Sequence, residues 1–250
     1  MFNRDSYIQT ETPLKKILLK LFNFKSKLII FDIGACEGEE SIRYSRLFPN
    51  STIYAFEPLP KNLDLIIQNI QNYKKNKINL IPYAVSDFNG TSEFFTSSGR
   101  PENESESLDW DFGNKSSSLL QPEKSTMPKW LHFDNKIEVK TITLESFISE
   151  NKIETIDFAH MDVQGAELKV LKGAREHIEK IKAIWLEVSN VELYKNQPLT
   201  ADIQNFMKNS NFYLYKSEFN GDFGDQLYLN KKYFNFCLIL WRSILSYIKI

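Results

Sequence analysis

Short apolar runs alternate along the chain with segments in which apolar residues recur every three or four positions. The runs at 27–33, 51–56 and 78–82 are rich in β-branched residues, which is typical of strands buried on both faces of a parallel sheet. The segments between them, 39–48 and 59–73, carry apolar residues at helical spacing. This order predicts right-handed βαβ units.

The second half of the chain repeats the alternation. Strands are predicted at 137–142, 156–163 and 183–188, and helices at 143–149, 166–172 and 199–210. Two more segments, 212–216 and 226–230, alternate apolar and polar residues, which is typical of an antiparallel pair. The prediction is a doubly wound α/β fold with a mostly parallel sheet, an antiparallel edge hairpin and one main domain, residues 27–232.

Three segments lie outside this alternation. Residues 1–26 are predicted to form a helical extension, with an amphipathic helix at 13–22. Residues 97–135 are polar and show no regular period, so they form either a lid that faces the substrate or a solvated surface excursion. Residues 233–250 form an amphipathic tail that either packs on this or a second subunit or lies in a membrane interface.

Composition narrows the classes of protein. At 250 residues with 42% apolar content, the chain can bury one substantial core. Lys and Arg total 31 against 32 for Asp and Glu, so no overall positive charge favours a nucleic-acid partner. Cys36 and Cys237 are far apart and are interpreted as free thiols. Residues 1–12 lack the pattern of a secretory signal, so we expect a cytoplasmic protein, membrane-associated only if the tail binds a membrane.

A glycine turn follows the first strand, where open α/β sheets bind ligands. Gly34 and Gly38 permit a tight turn, while Asp32 and Glu37 would repel phosphate and favour a ligand with ammonium and sulfonium charges. S-adenosylmethionine carries both charges. Glu57, at the end of the second strand, stands where such folds offer an acid to ribose hydroxyls. We expect the cofactor pocket to include also Ala35, Pro58, Ala84 and Ser86.

The alternative interpretation is purely structural, with Asp32 capping the helix, the glycines only turning the chain and Glu57 solvated. Two other functions also stay open at this point. One is a nucleotide-sugar or dinucleotide enzyme, which the two acids of the turn oppose. The other is a non-catalytic module of the same fold that docks to a glycan-assembly complex.

Four ordered blocks, FDIGACEGEES, YAFEPLPKNL, IDFAHMDVQGAELKVLKGA and IWLEV, resemble the successive motifs of the FkbM family of methyltransferases. The resemblance spans about residues 28–229. It implies a class I methyltransferase (Rossmann-like) fold, S-adenosylmethionine as methyl donor and, often, O-methylation of a sugar hydroxyl in a glycan or natural product. The resemblance places Asp32, Gly34 and Gly38 in the methionine-side loop and Glu57 at the ribose.

The third block matches the D-x-E-G-x-E pattern of the family at Asp162, Gly165 and Glu167, but Gln164 stands where that pattern often has Glu. Methyl transfer requires mainly that the acceptor is positioned and loses its proton. Asp162 is the first choice for the group that faces the acceptor.

Further residues are assigned to the acceptor side of the site. His160 has a suitable pKa for a base, although alternation along the strand places it inside the strand. Glu187 either orients the substrate or pairs with a lysine such as Lys182, and Glu167 has the same two alternatives with Lys169. The expected substrate-binding residues are Ser118, Gln164 and Glu167. Asp162 and Glu187 could hold a divalent metal, but two separated acids without a histidine-rich spacing are weak evidence for a metal site, so none is predicted.

Overall fold

The computed structural model describes residues 4–73, 77–102 and 112–234. Its strands are β1 (Ile29–Ile33), β2 (Thr52–Phe56), β3 (Ile78–Ile81), β4 (Ala84–Val85), β5 (Gly90–Ser98), β6 (His132–Ile142), β7 (Ile156–Met161), β8 (Ile181–Ser189), β9 (Phe212–Asn220) and β10 (Phe223–Asn230). Its α-helices are α1 (Arg4–Gln9), α2 (Lys15–Leu21), α3 (Glu39–Leu47), α4 (Pro60–Asn72), α5 (Leu144–Glu150), α6 (Glu167–Gly173) and α7 (Thr200–Asn209). Short 3₁₀ turns lie at Phe112–Ser116 and Arg175–Lys180.

The main sheet has the strand order β3-β2-β1-β7-β8-β10-β9. The first five strands in this order are parallel, whereas β10 runs antiparallel to both β8 and β9. The predicted doubly wound sheet with an antiparallel edge hairpin is therefore confirmed. The order reverses next to β1, so the loops after β1 and β7 meet at the crevice where such sheets bind ligands.

Two apolar clusters cover the two faces of this sheet. One contains buried residues of α5, α6 and α7, including Phe147, Leu171 and Ile203. The other contains buried residues of the N-terminal helices, α3 and α4, including Leu18 and Ile66. Burial on both faces explains why the strands of the parallel core are apolar runs rather than alternating segments.

A second, three-stranded sheet with the order β4-β6-β5 follows β3 in the chain. The strand predicted at 137–142 begins earlier, at His132, and belongs to this small sheet. Its partner β5 was not predicted, because most of its Ser, Thr and Glu side chains are exposed or half-buried and only Phe94 and Ser97 are buried. Part of the predicted loop 97–135 therefore lies in regular structure.

The N-terminal residues add helices to the α3 side of the sheet. Helix α2 was predicted, whereas the short α1 was not, although both lie in the predicted helical extension. In α5 the structure identifies the capping residue, since Thr143 Oγ1 accepts the backbone N–H of Ser146 at 3.1 Å. Across the described residues we find no helix long and apolar enough to cross a membrane. Cys237 and nearly all of the predicted tail lie outside the described residues.

Candidate active site

The glycine turn after β1 lies directly against the end of β7. Gly34 has a φ of 86°, and a Cβ placed on it would lie 1.8 Å from the carbonyl oxygen of Asp162. The backbone N–H of Asp162 in turn donates to the carbonyl of Ile33 at 3.0 Å. Only a residue without a side chain fits this approach, so Gly34 brings the turn and Asp162 together.

Gly34→Ala should therefore destabilise the protein much more than Gly221→Ala. Both glycines have a positive φ, 86° and 65°, but a Cβ at Gly221 meets nothing within 4 Å. The control carries only the conformational cost, about 1 kcal/mol, whereas Gly34→Ala adds a backbone clash. Thermal unfolding of the two variants measures the difference, and equal losses would contradict the close approach of β1 and β7.

A cavity opens beside this turn. Its walls come from the turn, the end of β2, the start of α4, β4, and residues 114–119 of the segment between β5 and β6. Among the predicted cofactor residues, it is lined by Gly34, Glu57, Pro58 and Ala84. Apolar walls are supplied by Phe56, Leu59, Val85, Phe94 and Leu119.

Glu57 is buried at the edge of this first cavity. Its carboxylate accepts the backbone N–H of Cys36 at 3.0 Å and that of Leu59 at 2.8 Å. Burial raises the pKa of Glu57 to about 8, although these two hydrogen bonds act in the opposite direction. The side chain thus links the glycine turn to the start of α4, in addition to lining the cavity.

A second, wider cavity adjoins the first. Gly34, Cys36, Lys115 and Asp162 line both cavities. Its walls are strongly acidic, and the carboxylates that line it are Asp32, Glu39, Glu40, Asp162, Glu187, Glu218 and Asp225. Tyr7, Tyr44 and Trp185 add aromatic surface. Such a wall favours a ligand that is cationic or rich in hydrogen-bond donors.

Asp32 and His160 are neighbours on β1 and β7 and both line the second cavity. Asp32 Oδ2 accepts the hydroxyl of Ser41 at 2.5 Å, and its Oδ1 lies 3.4 Å from His160 Nδ1. Burial lowers the pKa of His160, but the nearby carboxylates, led by Asp32, outweigh this and raise it to about 9. His160 lies inside the strand, as alternation suggested, and its imidazolium form is favoured at neutral pH.

Three carboxylates meet at the ends of β7 and β8. The ligand oxygens of Asp162, Glu167 and Glu187 lie within 4.8 Å of one another. Glu167 accepts the backbone N–H groups of Val163 at 3.1 Å and Gly165 at 3.2 Å, so it holds the loop that precedes its own helix. Burial raises the pKa of Glu167 to about 7.

The side chain of Gln164 bridges the other two acids. Its Nε2 donates to Asp162 Oδ1 at 2.7 Å and to Glu187 Oε2 at 3.2 Å. Burial and the charges of Asp162, Glu167 and Asp225 raise the pKa of Glu187 well above its usual range. The spacing of the three carboxylates, Asp162, Glu167 and Glu187, suits a divalent cation. Each of them, however, already accepts a hydrogen bond from a protein donor.

Several predicted site residues face away from both cavities. Glu37 is fully buried and forms an ion pair with Arg4 of α1, so its charge does not reach a ligand in the turn. Ser86 is buried, and its carbonyl packs against Gly173 of α6. The predicted cofactor contacts of Glu37 and Ser86 need correction, because contacts that the sequence does not reveal hold both residues away from the cavities. Ala35 does line the second cavity, while Gly38 begins α3 with a φ of 81°.

Ser118 also differs from its predicted role in binding the substrate. Its side chain is fully buried, and its hydroxyl donates to the carbonyl of Gln164 at 2.7 Å and accepts the N–H of Leu120 at 3.0 Å. Its neighbour Ser117 lines the first cavity instead. Ser118 therefore fixes the loop after β7 from the side of the insertion.

The segment between β5 and β6 covers the first cavity. Asn114 donates to Asn62 of α4, and Lys115 forms an ion pair with Glu39 of α3 at 2.7 Å. Tyr194 secures the same segment, because its hydroxyl donates to the carbonyl of Ser116 at 2.7 Å. Of the two interpretations of the polar insertion, the described part fits a covering segment rather than a solvated excursion.

The edge hairpin brings two carboxylates that were not predicted, Asp225 and Glu218, to the wide cavity. Asp225 on β10 lies opposite Glu187 on β8 and Glu218 on β9, so three acids form a row across three strands. Burial and the charge of Asp162 raise the pKa of Asp225 to about 6. Strand register could have revealed these two residues. When the predicted hairpin is paired with β8, Asp225 and Glu218 align with Glu187.

The two joined cavities fit S-adenosylmethionine. The apolar walls of the first cavity and the buried amides of Asn62 and Asn114 suit a nucleobase, and Glu57 suits ribose hydroxyls. The acidic wall that begins at Asp32 suits the ammonium and sulfonium groups. Gly34 lies at the junction, because it lines both cavities.

Comparisons with known proteins agree with this geometry. A family model described as Methyltransferase FkbM domain matches residues 32–214. The 2-O-methyltransferase NoeI of Sinorhizobium fredii (strain NBRC 101917 / NGR234) is 35% identical over 175 residues, which cover 69% of this chain and 68% of that protein. Methyltransferase sdnD of Sordaria araneosa is 28% identical over 177 residues, 66% of this chain and 68% of that protein.

Among solved structures, magnesium protoporphyrin IX methyltransferase from Synechocystis PCC 6803 with bound S-adenosylmethionine aligns with 91% of this chain and 79% of its own. The sequence identity is 10% and the TM-score is 0.49.

Proposed function

The chain belongs to the family of FkbM-domain methyltransferases, which use S-adenosylmethionine, and we propose that it methylates a hydroxyl group of a sugar. The observation that carries this proposal is the position of Asp162, a carboxylate that lines both the cofactor cavity and the wide acidic cavity. A group at that junction can contact an acceptor hydroxyl beside the methyl donor.

Asp162 is suited to take the proton of the acceptor. Its Oδ1 is held by Gln164, and Oδ2 has no hydrogen bond to a described residue. When bound, the cofactor supplies an electrophilic methyl group on a sulfonium with a good leaving group. The protein then has to orient the hydroxyl in line and accept its proton, which a fixed carboxylate within hydrogen-bond reach does.

His160 is less suited to this role, because its raised pKa keeps it protonated at neutral pH. An imidazolium cannot accept a proton from the acceptor. We therefore assign proton acceptance to Asp162, and assign to His160 and Asp32 the shaping of the cavity wall beneath it.

The wide cavity supports a sugar as the acceptor. Its carboxylates can accept hydrogen bonds from several hydroxyl groups, and Trp185 adds an aromatic ring to the same wall, which suits the apolar face of a sugar ring. The name of the relative NoeI specifies transfer to oxygen, and we extend that chemistry to this chain. The proposal includes a glycan or a glycosylated small molecule as the carrier of the sugar.

A panel of methyl glycosides and short oligosaccharides, each incubated with the protein and S-adenosylmethionine, tests this proposal. We expect formation of S-adenosylhomocysteine to depend on a hydroxylated sugar. Each acceptor is paired with its deoxy analogue as a control, since removal of the reacting hydroxyl must abolish turnover. Turnover only with phenols or amines would contradict the assignment of a sugar hydroxyl.

A further inference from the structure

Gln164 has an unusual backbone conformation at the heart of the site. Its φ is 54°, in the left-handed region that residues with a side chain seldom adopt unless their surroundings hold them there. The surroundings do so here, since the buried hydroxyl of Ser118 donates to the carbonyl of Gln164 at 2.7 Å. The insertion therefore holds the loop after β7 in this conformation.

The side chain of Gln164 is fixed at both ends. Its two amide hydrogens go to Asp162 and Glu187, at 2.7 and 3.2 Å. The single hydroxyl hydrogen of Tyr194 is shared between the carbonyl of Ser116, at 2.7 Å, and Gln164 Oε1, at 3.2 Å. An uncharged side chain with two donors on one atom can hydrogen-bond to two adjacent carboxylates at once.

The charges around this amide explain why a neutral residue matters. Two further carboxylates, Glu167 of α6 and Asp225 of β10, face Asp162 and Glu187. The other charged groups nearby are His160 and Lys115, and Lys115 is already paired with Glu39. A glutamate at position 164, which the family pattern often has, would replace both donors with acceptors. The acids would then repel one another instead of sharing an amide.

We infer that Gln164 is a positioning residue, held by Ser118 and Tyr194, that orients Asp162 and Glu187 toward the acceptor. This inference rests on the proposed function, because it takes Asp162 as the group that accepts the proton. It also gives the insertion a second role beyond covering the cofactor cavity. The segment at 116–118 acts through two hydrogen bonds, from Ser118 to the carbonyl of Gln164 and from Tyr194 to the carbonyl of Ser116, and thereby sets the geometry of the two carboxylates.

The test compares Gln164→Glu with Gln121→Glu, which adds the same charge at an exposed position of the same insertion. With the acceptor found in the glycoside panel, we expect Gln164→Glu to lower turnover by about 10²-fold and to move the rise of the pH–rate profile to higher pH, since added negative charge favours protonated carboxylates. Gln164 also lines the first cavity, so binding of S-adenosylhomocysteine is measured by calorimetry in parallel and should fall much less than turnover. Gln121→Glu should change none of these quantities.

Tyr194→Phe provides a second variant, which removes one hydroxyl and leaves the packing in place. We expect its pH–rate profile to remain in the wild-type position and its turnover to fall less than that of Gln164→Glu. An unchanged profile and rate in Gln164→Glu, or a loss of S-adenosylhomocysteine binding that matches the loss of turnover, would overturn the inference.

A readout without acceptor separates this inference from the proposed function. Carboxylates whose pKa is raised in the folded state favour folding at low pH, and this contribution is lost as the pH rises from the unfolded toward the folded value. The thermal midpoint of Gln164→Glu should therefore fall increasingly below that of the wild type as the pH rises from 5 to about 8. A gap that does not change with pH would overturn the inference, whereas failure of every glycoside would contradict only the proposed function.

Discussion

Asp162→Asn should lower methyl transfer by about 10² to 10⁴-fold, the range that general-base catalysis typically contributes. The amide keeps the size of the side chain and one oxygen, but it cannot accept a proton from the acceptor hydroxyl. Binding of S-adenosylhomocysteine should change little, because the cofactor cavity retains Glu57, the apolar walls and the turn at Gly34. Single-turnover kinetics with saturating cofactor measure the effect.

The matched control for Asp162→Asn is Glu218→Gln, which also neutralises one carboxylate of the acidic cavity. Glu218 lies on the edge strand β9 and pairs with Lys216 at 2.6 Å, so its loss should affect acceptor affinity at most. If Asp162→Asn methylates at the wild-type rate, proton removal belongs to another group.

At pH 9, above the raised pKa of Glu57, Glu57→Ala should weaken cofactor binding by about 10- to 100-fold, the equivalent of one charged hydrogen bond of 1.5–3 kcal/mol. The change removes the acceptor for the N–H groups of Cys36 and Leu59, and with it the link between the turn and α4. It also removes the acid predicted to bind the ribose. Calorimetric titration with S-adenosylhomocysteine measures the loss.

Glu57→Gln serves as the comparison that keeps the shape of the side chain. Since the pKa of Glu57 is raised to about 8, ionisation above that pH should strengthen its bonds to ribose hydroxyls. Wild-type affinity should therefore increase as the pH passes 8, and Glu57→Gln should lose this increase. Unaltered affinity in a folded Glu57→Ala protein would contradict the assignment.

The main sheet could be predicted because its strands are buried on both faces and leave long apolar runs in the sequence. The same logic failed for β5, whose side chains are largely exposed. The turn at 32–38 was also visible, since two glycines between a strand and a helix are typical of a tight ligand-binding turn. The roles of the charged residues in this turn were predicted only partly. Glu37 forms an ion pair with Arg4, and Arg4 lies in helix α1, which the sequence pattern did not reveal.

The acceptor side was harder to predict because it depends on contacts between distant segments. Asp225 and Glu187 are far apart in sequence and become neighbours only through strand register. Like charges directly opposite each other destabilise a sheet. Along the row of Glu187, Asp225 and Glu218, the raised pKa values of Glu187 and Asp225 and the pairing of Glu218 with Lys216 reduce this repulsion.

The position of the transferred methyl group tests the central claim most directly. Product made from S-adenosylmethionine with a ¹³C-labelled methyl group would be examined by NMR correlation between the labelled carbon and the protons of the acceptor. We predict a methoxyl carbon coupled to a ring proton of a sugar. A labelled methyl group on nitrogen or on carbon would contradict the account.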